Sequence, residues 1–593
     1  MVDKFALQAA HDNGRIWPLM FVIVAWAGIF CLSILSYRPV QPRPESIPAD
    51  QFSAARADKH LEQLIGDSIP HPAGSKQNEV VRKRIIAMLE SFGYSVQVQS
   101  GIGTVARQVK HRSPDRDQVE LHNIIAVRKA KRSGGLPVKK PVMLVSHYDS
   151  VPTGPGASDD GVATAVVLEI ARIWSNEPTP DRDLVFLITD GEEFGLLGAK
   201  LFVDDHPLAK EIGIAINLEA RGTTGPSCMF ETSRWSRALI PVYARAADKK
   251  FASSLFVEIY RRMPRDTDFS VFKRAGMLGY NFAFIGDVRN YHTSADNYSN
   301  VDLASVQHHG DNAMGLLREI LGSTELELPD LTNLDSNDEA VYFDLFGKWI
   351  VWWPAGWSVW ITIILLIVLA IVLRYSFRHS TSARVPGKTA TSASIAWHVA
   401  VQVLTIASVF LAGYMIQKAV RLDENLAHPW PLNPIPQLIG HWLLGLAVVG
   451  GIAIAVSRRT EARFYLTSFC ILWLTFSLLT SILVVGASHL FLVPMLMTTA
   501  ILLLTLWFWP TGMQFCLVVA AISVGIIWIP LGPIFYDAVG FRMPVVMMAR
   551  ISIVSSSLLG LLALASDRSK FWFTMLSSSL SVATFVVAVA ISG

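Results

Sequence analysis

The stretch LVFLITDGEEFGLLGAKLFV, residues 184–203, decides the fold, because it holds a strand, a carboxylate-rich turn and the start of a helix in one run. Its first six residues, LVFLIT, are uninterrupted by charge, the pattern of a strand buried on both faces. Asp190, Gly191, Glu192 and Glu193 follow at once, and FGLLGAKLFV then resumes with helical spacing. Working outward, VMLVS at 142–146, IAINLE at 214–219 and LGYNFAFI at 278–285 repeat the strand signature, with helical patterns at about 160–175 and 303–321. Such alternation predicts an α/β fold, a mixed and mostly parallel sheet flanked by helices. Ligands in folds of this kind bind beyond the carboxyl ends of the strands.

Those ends carry chemistry. VMLVS runs into His147 and Asp149, LVFLIT into Asp190-Gly191-Glu192-Glu193, IAINL into Glu219, and NFAFI is followed by Tyr291 and His292. A fifth segment, GASDDG at 156–161, opens a helix. Each has an ordinary explanation by itself, since a lone His is usually structural and an Asp before a helix is usually its N-cap. Five together at one edge of one sheet predict a metal site. Imidazole and carboxylate without thiolate suit zinc in an open catalytic site, or less specifically manganese or cobalt. Two His and three carboxylates are enough ligands for two metals sharing one Asp.

In order and spacing, SHYDS, GASDDG, DGEEFGLLGA, NLEARG and YHTSADN resemble the five motifs of the co-catalytic di-zinc peptidases. That family includes bacterial leucyl aminopeptidases, aminopeptidase S, glutamate carboxypeptidase and glutaminyl cyclase. The resemblance covers about 60–322, and the arrangement of spans around it further resembles the family's multi-spanning branch, endoplasmic reticulum metallopeptidase and vacuolar membrane protease. It implies two zinc ions per chain, bridged by Asp159, with His147 and Glu219 completing one site and Glu193 and His292 the other. Glu192 matches the family's general base, which takes a proton from the attacking water and delivers it to the leaving amine. Asp149 would fix the His147 imidazole, and Asp296 would do the same for His292. Tyr291 would steady the tetrahedral oxyanion, and Asp268, in DTDFSVF, would lie near the substrate pocket. Arg221 would hold a substrate carboxylate or, on the plainer reading, form a supporting ion pair. Two departures stand out: position 219 is Glu where single-domain members mostly carry Asp, and Ala163 replaces a glycine common in the bridging-Asp motif.

Beyond this domain the composition changes. The chain of 593 residues is 51% hydrophobic and 17% charged, against roughly a quarter charged in an ordinary soluble protein. Residues 349–593 hold only 13 Lys or Arg and 5 Asp or Glu, which leaves 81 charged residues in the first 348. A mildly acidic globular domain is therefore joined to an all-α polytopic membrane domain. Residues 17–37 are read as a transmembrane signal anchor after a cytoplasmic N-terminus (1–16), and the proline-rich 38–51 as an extended spacer lifting the domain off the bilayer. The peptidase-like domain is placed at 52–330, a linker at 331–348, and a membrane domain of about eight further spans at 349–593. Those spans are expected near 351–373, 395–416, 437–457, 464–486, 488–508, 513–535, 545–566 and 571–592, with Trp349, Trp352, Trp353, Trp357 and Trp360 as an interfacial belt. Arg374, Arg378, Arg384, Lys388, Arg458, Arg459, Arg463, Arg568 and Lys570 fall on one side, against Lys418, Arg421 and Arg542 on the other. The positive-inside rule then puts the globular domain outside the cytoplasm, periplasmic or extracellular in a bacterium and lumenal or vacuolar in a eukaryote.

Basic residues between apolar spans set orientation, so nucleic-acid binding is discarded. Four cysteines, only Cys228 of them in the globular part, provide no disulfide framework. No Asp or Glu lies in a span core, which argues against ion-coupled transport; His398 and His489 lie near span ends, where a polar tip reaches the interface. The spans are read as anchoring the domain in the lipid bilayer, forming a homo-oligomer, or recruiting a partner. The leading expectation is a membrane-bound di-zinc exopeptidase, an aminopeptidase acting on peptides with a free N-terminus. A carboxypeptidase or glutaminyl cyclase of the same fold is the alternative within enzymology, and a non-catalytic receptor or scaffold the alternative outside it.

Overall fold

The structure, a computed structural model, describes residues 17–112, 117–131, 139–322, 338–378, 391–420, 434–456, 462–508, 513–540 and 543–592. It divides into two compact units, Ser36–Gly356 and a second made of the chain up to Leu35 with Trp357 onward.

In the first unit, seven strands form one sheet: β1 (Val96–Thr104), β2 (Gln118–Arg128), β3 (Val142–His147), β4 (Leu184–Thr189), β5 (Ile214–Ala220), β6 (Cys228–Thr232) and β7 (Leu278–Phe284). Their order is β1-β2-β4-β3-β5-β7-β6. The four central strands are parallel, and the antiparallel pairings lie at the flanks, β1–β2–β4 on one side and β7–β6 on the other. Every residue of β3, β4, β5 and β7 is buried, as their apolar runs require. β1 and β2 lack that signature because β1 has one face to solvent and β2 alternates at its start. Helices α1 (Ala54–Ile65), α2 (Lys76–Ser91), α3 (Ala163–Asn176), α4 (Leu197–Asp205), α5 (Ser236–Ala246), α6 (Ser254–Tyr260), α7 (Asp268–Arg274) and α8 (Leu303–Gly322) complete the layers. One core packs α1, α3, α5 and α8 on the face carrying Leu144, Phe186, Ile216 and Phe282. The opposite core joins α4 and α7 to Met143, Val145, Leu187 and Ala215. Since the central strands are parallel, their carboxyl ends share one edge.

Two expectations are corrected in this unit. The proline-rich segment 38–51 does not run free as a spacer. The Arg43 N–H donates to Gln307 Oε1 at 2.9 Å and its guanidinium pairs with Asp311 at 3.0 Å. Arg56 donates to the carbonyls of Glu45 at 2.7 Å and Ile47 at 3.2 Å, and Arg172 to that of Ala49 at 2.8 Å. Both arginines are held in turn by the buried Glu169. Residues 349–354, expected to begin a span, instead form strand β9 (Trp349–Pro354), paired antiparallel with β8 (Ala340–Leu345). The turn between them is set by Gly347, at φ +72°, whose N–H donates to Asp344 Oδ2 at 3.0 Å. Tyr342 of β8 is buried in the main core. Residues 331–337 of the expected linker lie outside the described residues.

Among the described residues of the second unit, seven helical segments are long and apolar enough to cross a membrane, Trp17–Tyr37 included. Two shorter apolar helices, within Trp357–Arg378 and His489–Phe508, stand where two further spans are expected. This is a multi-pass membrane domain. Two expected spans are each broken in two, Met513–Trp528 from Leu531–Val539 around Pro530, and Pro544–Ser556 from Leu559–Leu564. His398 and His489 are buried rather than reaching outward, each with a ring nitrogen bonded to a carbonyl of its own segment, Ser394 at 2.6 Å and Gly486 at 3.0 Å. Residues 1–16, 379–390, 421–433, 457–461 and 541–542 lie outside the described residues, and with them half of the charges used to read orientation, Arg384, Lys388, Arg421, Arg458, Arg459 and Arg542.

Candidate metal centre and active site

His147 closes β3, Asp190 follows β4, Glu219 is the penultimate residue of β5, and Tyr291 and His292 lie in the loop after β7. Parallel strands thus deliver ligand-type side chains from sequence positions 145 residues apart to one edge. They converge into two groups whose ligand atoms lie within 4.8 Å of one another: His147, Asp160 and Glu219; and Asp159, Glu193 and His292. Asp159 joins the groups. Its Oδ1 lies 3.3 Å from His147 Nε2 and its Oδ2 3.1 Å from His292 Nε2. On the far side of His292, Nε2 is 2.8 Å from Glu193 Oε1, and Glu219 Oε2 is 3.9 Å from His147 Nε2. The chemistry of this donor set, two imidazoles and several carboxylates with no thiolate, fits zinc.

The supporting bonds fix orientation. His147 Nδ1 donates to the Asp149 carbonyl at 3.0 Å, so the Nε2 lone pair is left for the cluster. The Asp149 carboxylate accepts from the N–H groups of Glu192 at 2.9 Å and Glu193 at 3.2 Å, which ties the β3 end to the turn after β4. Gly191, at φ +71°, supplies the backbone conformation that turn needs. Asp296 has a different partner from the one expected: it accepts from Ser158 N–H at 2.7 Å and Asp159 N–H at 3.2 Å, and so holds the segment bearing Asp159 rather than the His292 ring. Thr189 at the end of β4 donates to Asp268, the buried first residue of α7. The Tyr291 ring stacks on His292, centroids 3.6 Å apart. Arg221 is half-buried just past β5, its N–H bonded to the Phe284 carbonyl at 2.9 Å.

Asp160 was missed by sequence reasoning. Its Oδ2 accepts from the His147 N–H at 3.1 Å, while Oδ1 is buried without a hydrogen-bond partner. The only signal was the doubled Asp in GASDDG, of which one could be read as a ligand and the other as an ordinary helix-opening residue.

So many acids in one place perturb one another. Burial pushes the Glu192 carboxyl well up, and the charge of Glu219 adds to it; burial raises Glu219 too. Burial and the charge of Asp149 bring Asp190 to about 7, and burial brings Asp268 to about 6. Burial works against charge on His292, but Glu193 and Asp159 outweigh it and hold the imidazole up at about 9. The Tyr291 hydroxyl is pushed well up by burial and by Asp159, so it stays a donor. The cluster favours added positive charge throughout. Beside it, a cavity of about 330 Å³ is lined by uncharged groups including Ser68, Thr153, Ser294 and Asn297, with Thr153 Oγ1 donating to the His292 carbonyl at 2.9 Å.

Among solved structures, an aminopeptidase from Aneurinibacillus sp. strain AM-1 is 16% identical with a TM-score of 0.37, over 48% of this chain and 97% of that one. Among curated proteins, vacuolar membrane protease of Eremothecium gossypii is 31% identical over 321 residues, 52% of this chain and 31% of that protein. Endoplasmic reticulum metallopeptidase 1 of Mus musculus is 28% identical over 366 residues, 60% of this chain and 39% of that protein. The chain thus spans well under half the length of these relatives. The model of peptidase family M28 matches residues 123–317, the segment that holds every residue of both ligand groups. Residues 123–317 are a peptidase family M28 domain.

Proposed function

We propose that this chain is a membrane-bound, zinc-dependent exopeptidase that removes residues from the free N-terminus of peptides on the non-cytoplasmic side of the membrane. The observation that carries the reading is the division of the Asp159 carboxylate, one oxygen toward each histidine, between two ligand groups. His147 and Glu219 would hold one zinc and Glu193 and His292 the other, with Asp159 shared. Zinc held by these residues would supply Lewis acidity, to water and to the scissile carbonyl.

The rest is done by the chain. Glu192 belongs to neither ligand group, and its N–H is pinned by Asp149, so its carboxylate is available to accept the attacking water's proton and return it to the leaving amine. Tyr291, kept protonated, donates to the oxygen that gains charge in the tetrahedral state. Specificity for an amino end is read from the crowding of carboxyl groups there: burial and mutual repulsion, as at Glu192 and Glu219, favour an added cation, and a substrate ammonium would supply one. The relatives' names, a protease and a metallopeptidase, support the same class. The excess of basic residues on one set of loops supports the outward orientation.

The test is metal content of the detergent-solubilised chain together with turnover on aminoacyl arylamides and on N-blocked peptides. Two ions per chain and release only from free amino termini are expected. Glu192→Gln should keep both ions and lose turnover by about 10²–10⁴-fold. Turnover near wild type would remove Glu192 as the base, and equal cleavage of N-blocked peptides would remove the amino-end specificity.

A further inference from the structure

Three polar residues lie in the middle of an apolar sheet without taking part in the site as read so far. Asn217 of β5, Asn281 of β7 and Glu231 of β6 are each at most 1% exposed. They form a row: Asn217 pairs with Asn281 across β5–β7, and Glu231 with Asn281 across β7–β6. Directly opposed residues share a face, so their side chains meet. Burying three such groups is costly unless every one is bonded.

They are bonded, and in one sense only. Glu231 takes the Lys273 ammonium of α7 on Oε1, so its carboxylate acts as acceptor. Asn281 must then turn its NH₂ to Glu231 Oε2, at 3.1 Å, and to Thr267 Oγ1, at 2.8 Å. Its carbonyl oxygen is left facing Asn217, whose NH₂ donates to it at 3.0 Å and to Glu219 Oε1 at 3.3 Å. The row therefore ends on the carboxylate read as a metal ligand, and on the oxygen that points away from His147. The other oxygen, Oε2, is the one 3.9 Å from His147 Nε2.

We infer that Asn217, Asn281, Glu231 and Lys273 form a positioning relay, anchored by a cation at the surface, that presents Glu219 to its metal through Oε2 alone. The inference rests on the proposed role of Glu219. It also accounts for Glu at a position where the resembling family mostly has Asp: the longer arm has one more torsion, and a bond to Oε1 removes that freedom. Partners that orient metal ligands commonly matter by about 10–100-fold in affinity. That loss should fall on the Glu219 site and spare the one built by Glu193 and His292.

The experiment uses the full chain in detergent, stripped by a chelator and titrated with zinc against a chromophoric competitor, for wild type, Asn281→Ala and Lys273→Met. Wild type is expected to bind two ions. Asn281→Ala should keep one at wild-type affinity and weaken the other about 10–100-fold, and Lys273→Met should weaken the same ion by less. Lys273 is 30% exposed at the end of the row, so the Lys273→Met chain, with metal-free melting unchanged, carries the test if Asn281→Ala fails to fold. Two ions bound as in wild type by both variants would overturn the relay alone. A wild-type chain that takes up no ion would overturn the metal reading, and the relay with it.

Discussion

The two units differ in where many of their buried polar groups find partners. In the membrane unit the partner is often four residues back on the same helix: Thr405 donates to the Val401 carbonyl at 2.7 Å, Thr498 to Pro494 at 2.7 Å, Ser555 to Ile551 at 2.6 Å. Bonds between helices, such as Gln402 to Ser468 at 2.8 Å, accompany them. In the peptidase unit the partners are distant in sequence and lie on different elements, as with Asn78 and Asp190 at 3.1 Å, Asp296 and Ser158 at 2.7 Å, or Asn281 and Glu231. A bond within one helix satisfies an atom but fixes nothing beyond that helix. A bond between elements fixes where they stand, which is what a site assembled from four strand ends requires.

The comparison is broken most severely at its centre. Asp159→Asn should lose metal and bring turnover to background, because one carboxylate serves both groups; metal content and arylamide hydrolysis check it, and two retained ions would end the shared-ligand assignment. One step out, Asp296→Asn puts an NH₂ group in place of one of the two oxygens that accept from the Ser158 and Asp159 N–H groups, so one of them loses its acceptor. Metal affinity should fall about 10–100-fold with the chain still folded, read by the same competition titration. If affinity is unchanged, the Asp159 segment holds its position without Asp296.

How far the sequence foretold all this depends on whether a pattern was local. The four parallel strands were legible because a strand buried on both faces is an uninterrupted apolar run, and the ligand types stood immediately after them. β1 and β2 were not, since QVQSGIGT and QVELHN have the polarity of loops until they are paired. Trp349–Trp353 has the composition of a span, and only the Asp344–Gly347 turn marks it as half of a hairpin. Asp296 was read by proximity in sequence as a partner of His292, whereas its bonds run 137 and 138 residues back to Asp159 and Ser158. The proline-rich segment has spacer composition, and what pins it, Gln307, Asp311 and Glu169, lies more than a hundred residues away. Long-range pairing of polar side chains leaves no period in a sequence.

Glu169 tests whether connection between elements matters where there is no chemistry. Its buried carboxylate joins Arg56 and His60 of α1 to Arg172 of α3, at 2.7, 3.3 and 2.8 Å. Burial alone would raise it, but the bonds from Arg172, His60 and Arg56 win and draw it down to about 2. A carboxyl depressed on folding contributes fully above its ordinary value and loses that contribution as pH falls toward the folded one. Glu169→Gln should therefore cost about 3 kcal/mol near neutrality. The gap from wild type should close as pH drops from about 4.5 toward 2. Thermal unfolding of both chains across that range checks it, and a gap independent of pH would mean the cost is packing rather than charge.

The finest test makes the same substitution in both units. Thr164, buried at the start of α3, donates to the His147 carbonyl at 2.9 Å and so accepts from Ser146 Oγ at 3.1 Å, and its hydroxyl joins a helix to the strand end that bears a ligand. Thr405, equally buried, donates to Val401 of its own helix. Valine matches threonine in shape and removes only the hydroxyl. At 405 the carbonyl keeps its place in the helical ladder, and stability should move by under about 0.5 kcal/mol with turnover unchanged. At 164 the Ser146 hydroxyl and the His147 carbonyl both lose a partner in a dry interior, a cost of about 1–3 kcal/mol. A change in KM or metal affinity should accompany it, since the carbonyl belongs to the residue whose imidazole faces the metal. Equal effects at the two positions would show that what counts is the loss of a buried bond as such, and the distinction between bonds within a helix and bonds between elements would fall.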